Sequence, residues 1–257
     1  MRFRPTIPGL RLWLLGIGLY LLFLLLRLPA ALVLEWLPAG SLPPALQYRH
    51  ASGSIWSGTL HDVRIRRLAL GNVHWRLTPW SIFTARLGAN LRLEGDAGDA
   101  GGWFGLGFGG TLAADAVEGT LNLHAFDALT RPVMLEGRLR LAGLSSAFAP
   151  GERWHLSGEA DWQSARLGGV QDIDLGNVHL AAEPKGDGST IRIRNEAGDL
   201  QVEGSLLLDK NGGWQLDTRI ANRDANRKDI QQLLRFLGRP DASGRYRFRA
   251  SGKLPLP

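Results

Sequence analysis

Six histidines are the first residues in this 257-residue chain that could do chemistry, as metal ligands or as a general base. Their spacing argues against both roles. No HExxH pair and no close His pair gives the i, i+4 or hairpin geometry of a metal site. Four of the six, His50, His74, His155 and His179, fall into two pairs set 105 residues apart, so they record a duplicated framework. His74 lies between Val73 and Trp75 and is expected on the wet face of a strand. The run Gly105-Leu106-Gly107-Phe108-Gly109-Gly110 satisfies GxGxxG, but a dinucleotide site needs a preceding strand and a following helix to present amides to phosphate. Strand-like Gly119 to Leu123 follows instead, and Gly101 to Gly110 is expected to be a flexible glycine-rich β connection. Asp172 and Asp174 would share one strand face and could act as an acid–base pair, though turn-proximal aspartates on a wet face are the commoner case. No GxSxG elbow and no SxxK pair supplies a serine nucleophile. The chain has no cysteine, which removes thiol chemistry, disulfides and Cys-ligated zinc or iron–sulfur. These residues assign no catalytic, cofactor or metal site, and the expectation is a protein that is not an enzyme.

Charge gives no nucleic-acid surface either. The net +6 is concentrated at the front, where Arg2, Arg4, Arg11, Arg27 and Arg49 face only Glu35 within residues 1–50. The remainder is nearly balanced, with 25 basic and 23 acidic groups and no clustered basic stripe.

The basic start leads into Leu12–Leu26, fifteen residues without a charge, and apolar character resumes through Leu34. A helix over 12–34 would rise about 34 Å, enough for a hydrocarbon core. Its twelve leucines favour insertion by roughly 6 kcal/mol against roughly 3 kcal/mol for a central Arg27. Arg27 lies past the midpoint and can snorkel, while Trp13 and Trp36 suit the two interfaces. The basic residues before the segment keep the N-terminus cytoplasmic and send the bulk across. The apolar core is long for a cleaved signal peptide and no clean A-x-A site follows, so a retained anchor is expected. Pro29, Pro38, Pro43 and Pro44 break the helix and stiffen the exit.

Beyond residue 50 the pattern has period two. Leu87, Ala89, Leu91 and Leu93 alternate with small or polar residues, as do Leu135, Leu139 and Leu141, Ile191 and Ile193, Trp214, Leu216 and Ile220, and Tyr246, Phe248 and Ala250. Each reads as an antiparallel strand with one apolar face. Asp187-Gly188 and Asn211-Gly212-Gly213 supply turns. Asp224–Leu237 reads as a helix presenting Ile230, Leu233, Leu234 and Leu237, and Thr78–Phe83 as a short helical turn. His50–Pro79 aligns with His155–Pro184 without a gap, sharing Ser-Gly, Leu-Gly-Asn-Val-His and the final Pro. The expected fold is mainly β: one N-terminal transmembrane helix, then a two-lobed antiparallel β domain built from an internal repeat, with a short C-terminal helix. The expected divisions are 1–11 cytoplasmic tail, 12–34 anchor, 35–49 Pro-rich linker, and 50–257 β domain with lobes of about 50–150 and 155–257. Of the nine Trp, Trp56, Trp75, Trp80, Trp103, Trp154, Trp162 and Trp214 lie in this domain, as core residues or as the lining of an apolar groove.

Several blocks carry a family resemblance: Leu28-Pro29-Ala30-Ala31, Ser52-Gly53-Ser54-Ile55-Trp56-Ser57-Gly58, Gly71–Pro79, and Leu233–Asp241 running into Gly244-Arg245-Tyr246. In order and spacing the chain resembles the protein N component of the bacterial type II secretion system. That resemblance implies a bitopic inner-membrane protein with a periplasmic β domain. It also implies an accessory role in export of folded proteins across the outer membrane, through contact with inner-membrane subunits or the secretin. It brings no catalytic residue, cofactor, nucleic acid or small-molecule substrate, and it singles out no contact residue. The competing expectation is a lipid-handling protein, because amphipathic strands behind one anchor also suit the open β grooves of AsmA-like proteins. An open apolar trough would favour that reading, and a face packed shut would oppose it.

Overall fold

The structure is a computed structural model describing residues 8–36, 46–78, 86–107, 109–127, 133–149, 151–169, 172–224, 227–236 and 238–254. The expected turn at Thr78–Phe83 lies outside them from residue 79 onward.

Two helices lead. α1 (Pro8–Leu26) is 19 residues and α2 (Ala30–Trp36) is seven. The expected continuous helix over 12–34 is therefore split. The last turn of α1 closes with the Arg27 amide donating to the Phe23 and Leu24 carbonyls, and Pro29, with no N–H to give, ends the ladder. α1 rises about 28 Å at ~1.5 Å per residue, just under a hydrocarbon core of about 30 Å. Among the described residues no helix is long and apolar enough to cross a membrane.

Fourteen strands form one antiparallel sheet in simple meander order. They are β1 (Leu46–Gln47), β2 (His50–Gly53), β3 (Ser57–Ile65), β4 (Leu68–Thr78), β5 (Arg86–Gly95), β6 (Gly98–Gly107) and β7 (Leu112–Asn122). The remainder are β8 (Met134–Ala149), β9 (Arg153–Gly168), β10 (Ile173–Lys185), β11 (Gly188–Glu196), β12 (Leu200–Leu208), β13 (Gly213–Asn222) and β14 (Tyr246–Lys253). β1 and β2 share the outer edge of β3, so the segment expected to be a linker already contributes a strand. Each alternating segment named above lies in a strand. The sheet runs on without a break where one expected lobe gives way to the next, with β8 and β9, at 16 residues each, paired along nearly their whole length. The glycine-rich stretch is likewise no loose connection. Gly101–Gly107 lies in β6, paired throughout with β5 and, apart from a bulge at Gly102 and its last residue, with β7. A Cβ at Gly88 or Gly105 would run into the Trp103 ring, so the small residues make room for that ring across β5 and β6.

The register collects the apolar side chains on one face. Trp75 and Leu77 of β4 sit opposite Leu91 and Ala89 of β5, which continue into Gly102 and Phe104 of β6. Phe104 and Leu106 continue into Ala114 and Leu112 of β7, and Leu112 into Phe148 of β8 and Trp154 of β9. The same face runs on through Trp162 and Val178 to Val202, Ile220 and Tyr246. Helical pieces lie on it: α2, a 3-10 turn at Leu123–Phe126 that touches β4 and β8, and α3 (Lys228–Arg235). α3 is the expected C-terminal helix in shortened form, with Ile230 and Leu234 each 1% exposed against Ala165, Leu175, Val178 and Leu200.

Candidate functional site

The duplicated histidines come first because their geometry is closest to catalytic. His74 Nδ1 lies 2.8 Å from Thr59 Oγ1 and its Nε2 lies 3.3 Å from Glu94. His179 Nδ1 lies 2.5 Å from Asp161 and its Nε2 lies 3.6 Å from Glu196. His74 pairs in register with Arg92, and His179 with Arg194. Both sets lie on the polar face of the sheet, as expected for His74. A hydroxyl, an imidazole and a carboxylate in line resemble a nucleophile with its base, but the repeat puts Asp161 where Thr59 stands. What the two halves share is an imidazole linking three neighbouring strands, a cross-strand clamp. His50 stacks on His61 at 4.2 Å between ring centroids, and His155 Nε2 lies 3.0 Å from the Gly186 carbonyl oxygen.

The matching positions show where the gap-free alignment fails. Thr59 and His74 are 15 residues apart while Asp161 and His179 are 18 apart, because the route through the β9–β10 turn is longer. Leu-Gly-Asn-Val-His is equivalent in β4 and β10. The Asn72 and Asn177 side-chain oxygens both accept from left-handed bulge residues, Asp62 and Ser164. Ser52-Gly53 and Ser157-Gly158 are not equivalent, since one pair forms β2 and the other lies inside β9. The structural repeat is β3–β8 against β9–β14, and its further matches, Arg92/Arg194 and Glu94/Glu196, were hidden by the change of offset.

Asp172 and Asp174 do not form a pair on one strand. β10 begins at Ile173, leaving Asp172 in the turn, and the Asp174 carboxylate accepts the Gly176 amide at 2.7 Å. Among the described residues no group of three or more His, Asp or Glu is arranged to hold a metal ion.

The second feature is a trough on the apolar face. A cavity of about 480 Å³ is walled by Leu77, Leu87, Ala89, Phe104, Leu106, Leu112, Ala114, Ser146, Phe148 and Trp154, with backbone of the intervening residues. Its side chains are open to solvent: Leu87 is 55% exposed, Leu106 49%, Leu112 40% and Phe104 37%. Phe148 closes one end, packed edge-on to Trp154 with centroids 5.8 Å apart. At the other end Leu77 also walls a cavity of about 240 Å³ beneath α2, with Ala30, Val33, Leu34, Ile55, Leu60 and Trp75. The trough thus reaches the helix that follows α1. The sequence marked Trp75 and Trp154 as possible groove residues but not Leu106, Leu112 or Phe148. Their period-two alternation was the available signal, and it could not tell a covered face from an open one.

The matching face of the second half is closed. α3 seats Ile230 and Leu234, and Asn195, only 4% exposed, secures the turn beneath. Its amide donates to the Leu175, Ala197 and Leu200 carbonyls, and its oxygen accepts the Val202 amide at 2.7 Å. Arg227 ties the start of α3 to Asp199 at 3.1 Å and to Asp229. The Arg227 hydrogen bond holds the Asp229 carboxyl below its ordinary range.

Comparison with known proteins agrees with the resemblance in the sequence. The family described as "Type II secretion system (T2SS), protein N" matches residues 44–249. Type II secretion system protein N of Aeromonas hydrophila is 30% identical over 250 residues, covering 91% of this chain and 94% of that one. The protein of the same name from Vibrio cholerae is 25% identical over 237 residues, covering 89% and 92%. No solved structure matches. The chain belongs to the type II secretion system protein N family.

Proposed function

We propose that this type II secretion component is an accessory subunit tethered to the inner membrane, which supports export of folded proteins by binding and not by catalysis. Its partners in this reading are other secretion subunits, either inner-membrane components or the secretin. Residues 1–11 form a cytoplasmic tail and 12–34 the anchor segment, in which α1 lies in the membrane and α2 rests on the sheet, while 35–49 is the linker and 50–257 the periplasmic domain. One observation carries the tether: α1 is apolar with its side chains outward, Leu12 at 68% and Trp13 at 74% exposed, and it leads straight into the sheet. The Ile55 amide donates to the Leu28 carbonyl at 3.0 Å, and Pro29 bridges Ser54. Such a helix gains by leaving water. Arg27 lies 5.0 Å from the Phe23 ring centroid and can reach the interface from there. Protease added to spheroplasts is expected to degrade residues 50–257 while leaving them whole in intact cells. Protection in spheroplasts would overturn the orientation.

A second reading, lipid binding in the manner of AsmA-like grooves, has its own supporting observation. The apolar face of β4–β9 is an open trough and is not packed shut.

A further inference from the structure

We propose that the trough between β4 and β9 is a binding site for one fatty acyl chain of a phospholipid, drawn from the membrane in which α1 sits. The proposal rests on the lipid-binding reading above and names its ligand and its site.

Three observations select the occupant. The first is polarity. Among the described residues the lining side chains carry only two polar groups, the Ser146 hydroxyl and the Trp154 indole N–H, and none of them is charged. A peptide laid there would bring its own N–H and C=O groups into a wall that cannot satisfy them, a cost that an acyl chain does not carry. The second is size. About 480 Å³ falls within the range of small-ligand sites. From β4 to β9 the trough crosses five strand spacings, about 24 Å at ~4.8 Å each. One leaflet is about 15 Å deep, so one extended acyl chain fits within that length. The third is continuity. Leu77 belongs both to this trough and to the cavity under α2, and α2 follows the apolar α1 after a break of a few residues. An acyl chain leaving the bilayer beside α1 would meet apolar side chains from Val33 and Leu34 onward to Phe148.

The test uses the full-length protein in vesicles of phosphatidylethanolamine and phosphatidylglycerol, doped with a phosphatidylethanolamine carrying a diazirine on one acyl chain. After irradiation, adducts are mapped by mass spectrometry. Adducts are expected on Leu87, Phe104, Leu106 or Leu112. Leu106→Glu should reduce them about tenfold or more, since a carboxylate in the acyl path is strongly disfavoured. Ala114→Trp, which fills the trough without adding charge, should do the same and covers the case in which the Glu variant fails to fold. Leu207→Glu, at a leucine 41% exposed on the opposite face, should leave labelling unchanged. Adducts on other parts of the sheet that ignore both trough variants would overturn the trough while sparing the lipid reading. Adducts confined to α1 would overturn both.

Discussion

The two halves of the sheet have one plan and two finishes. β3–β8 and β9–β14 each set an Asn-Val-His strand second, each join it to a Glu two residues beyond the paired Arg, and each follow the fifth strand with a helical piece. In the first half the described part of that piece is the 3-10 turn Leu123–Phe126, and apolar side chains stay open on the same face. In the second half it is an eight-residue α-helix whose Ile230 and Leu234 complete a core. A few residues decide the difference. Leu93 stands in the first half where Asn195 stands in the second, and no helix end with an Arg227–Asp199 tie is described there. One copy of the repeat is finished as a closed core and the other keeps an open apolar face.

Removing the cover should separate the halves most clearly. Leu234→Ala deletes a side chain that is 1% exposed and should cost about 2–5 kcal/mol of unfolding free energy, read by urea titration of the detergent-solubilised chain. Leu106→Ala, at 49% exposure, should cost less than about 1 kcal/mol. Equal losses would mean that the trough is as closed as the core. Exchanging the marker residues is the next test in size. Asn195→Leu abandons two buried carbonyls, a half-buried one and one amide and should cost about 2–3 kcal/mol, whereas Leu93→Asn on a half-buried strand should cost less than about 1 kcal/mol. If the two exchanges are equally harmful, Asn195 is not what distinguishes the halves.

The shared plan predicts equal effects elsewhere. Gly71 and Gly176 occupy the same bulge at φ +97° and +67°, and a Cβ on either would press on the backbone of the next strand. Gly71→Ala and Gly176→Ala should each cost about 1–3 kcal/mol and should agree with one another, measured by the same titration. A large disparity would argue that the repeat is only a likeness in sequence.

How much of this was legible follows from what each signal encodes. Alternation in Leu87–Leu93 or Ile191–Ile193 reports the pleat, which is local, so the strands were readable. Whether an alternating face is covered depends on a segment far along the chain, so Leu106 and Val178 looked alike while one is open and the other buried. The α3 face was readable because Ile230 and Leu234 recur at helical spacing. The break between α1 and α2 was half visible: Pro29 marks it, yet hydropathy averaged across 12–34 runs over it. The histidine clamps were not visible, because a longer β9–β10 route and a shorter β10–β11 route leave Asp161 and Glu196 at an offset of 102, outside the 105-residue offset that aligns His74 with His179. Glycines 101–107 were misjudged for a related reason. Their place in β6 comes from the Trp103 ring lying across β5 and β6, a tertiary demand that overrides poor strand propensity.

The smallest contrast concerns charge at matching places in β7 and β13. Asp115 accepts a hydrogen bond from the neutral Ser145 hydroxyl at 2.6 Å. Asp217, its counterpart, accepts from Arg247 Nε at 2.8 Å and from Arg249 Nε at 3.2 Å. The Arg247 hydrogen bond is the main cause that lowers the Asp217 carboxyl to about 2, aided by both guanidinium charges and opposed by partial desolvation. The folded value lies below the unfolded one, so the group adds stability above about pH 4 and loses that contribution as pH falls from about 4 through 2. Because the pair is exposed to water and salt, the effect is small and should shrink further at high ionic strength. Thermal midpoints measured between pH 5 and 2 should therefore fall more for the native chain than for Asp217→Asn, and the gap should close in 1 M salt. Ser145→Arg then carries the comparison across the sheet. If the halves share one backbone plan, an arginine at residue 145 should reach Asp115 as Arg247 reaches Asp217, and should make the first half acid-sensitive over the same range. A variant with an unchanged pH profile would show that the β7–β8 bulge, which shifts the register between Ala114 and Val117, has moved the carboxylate out of reach.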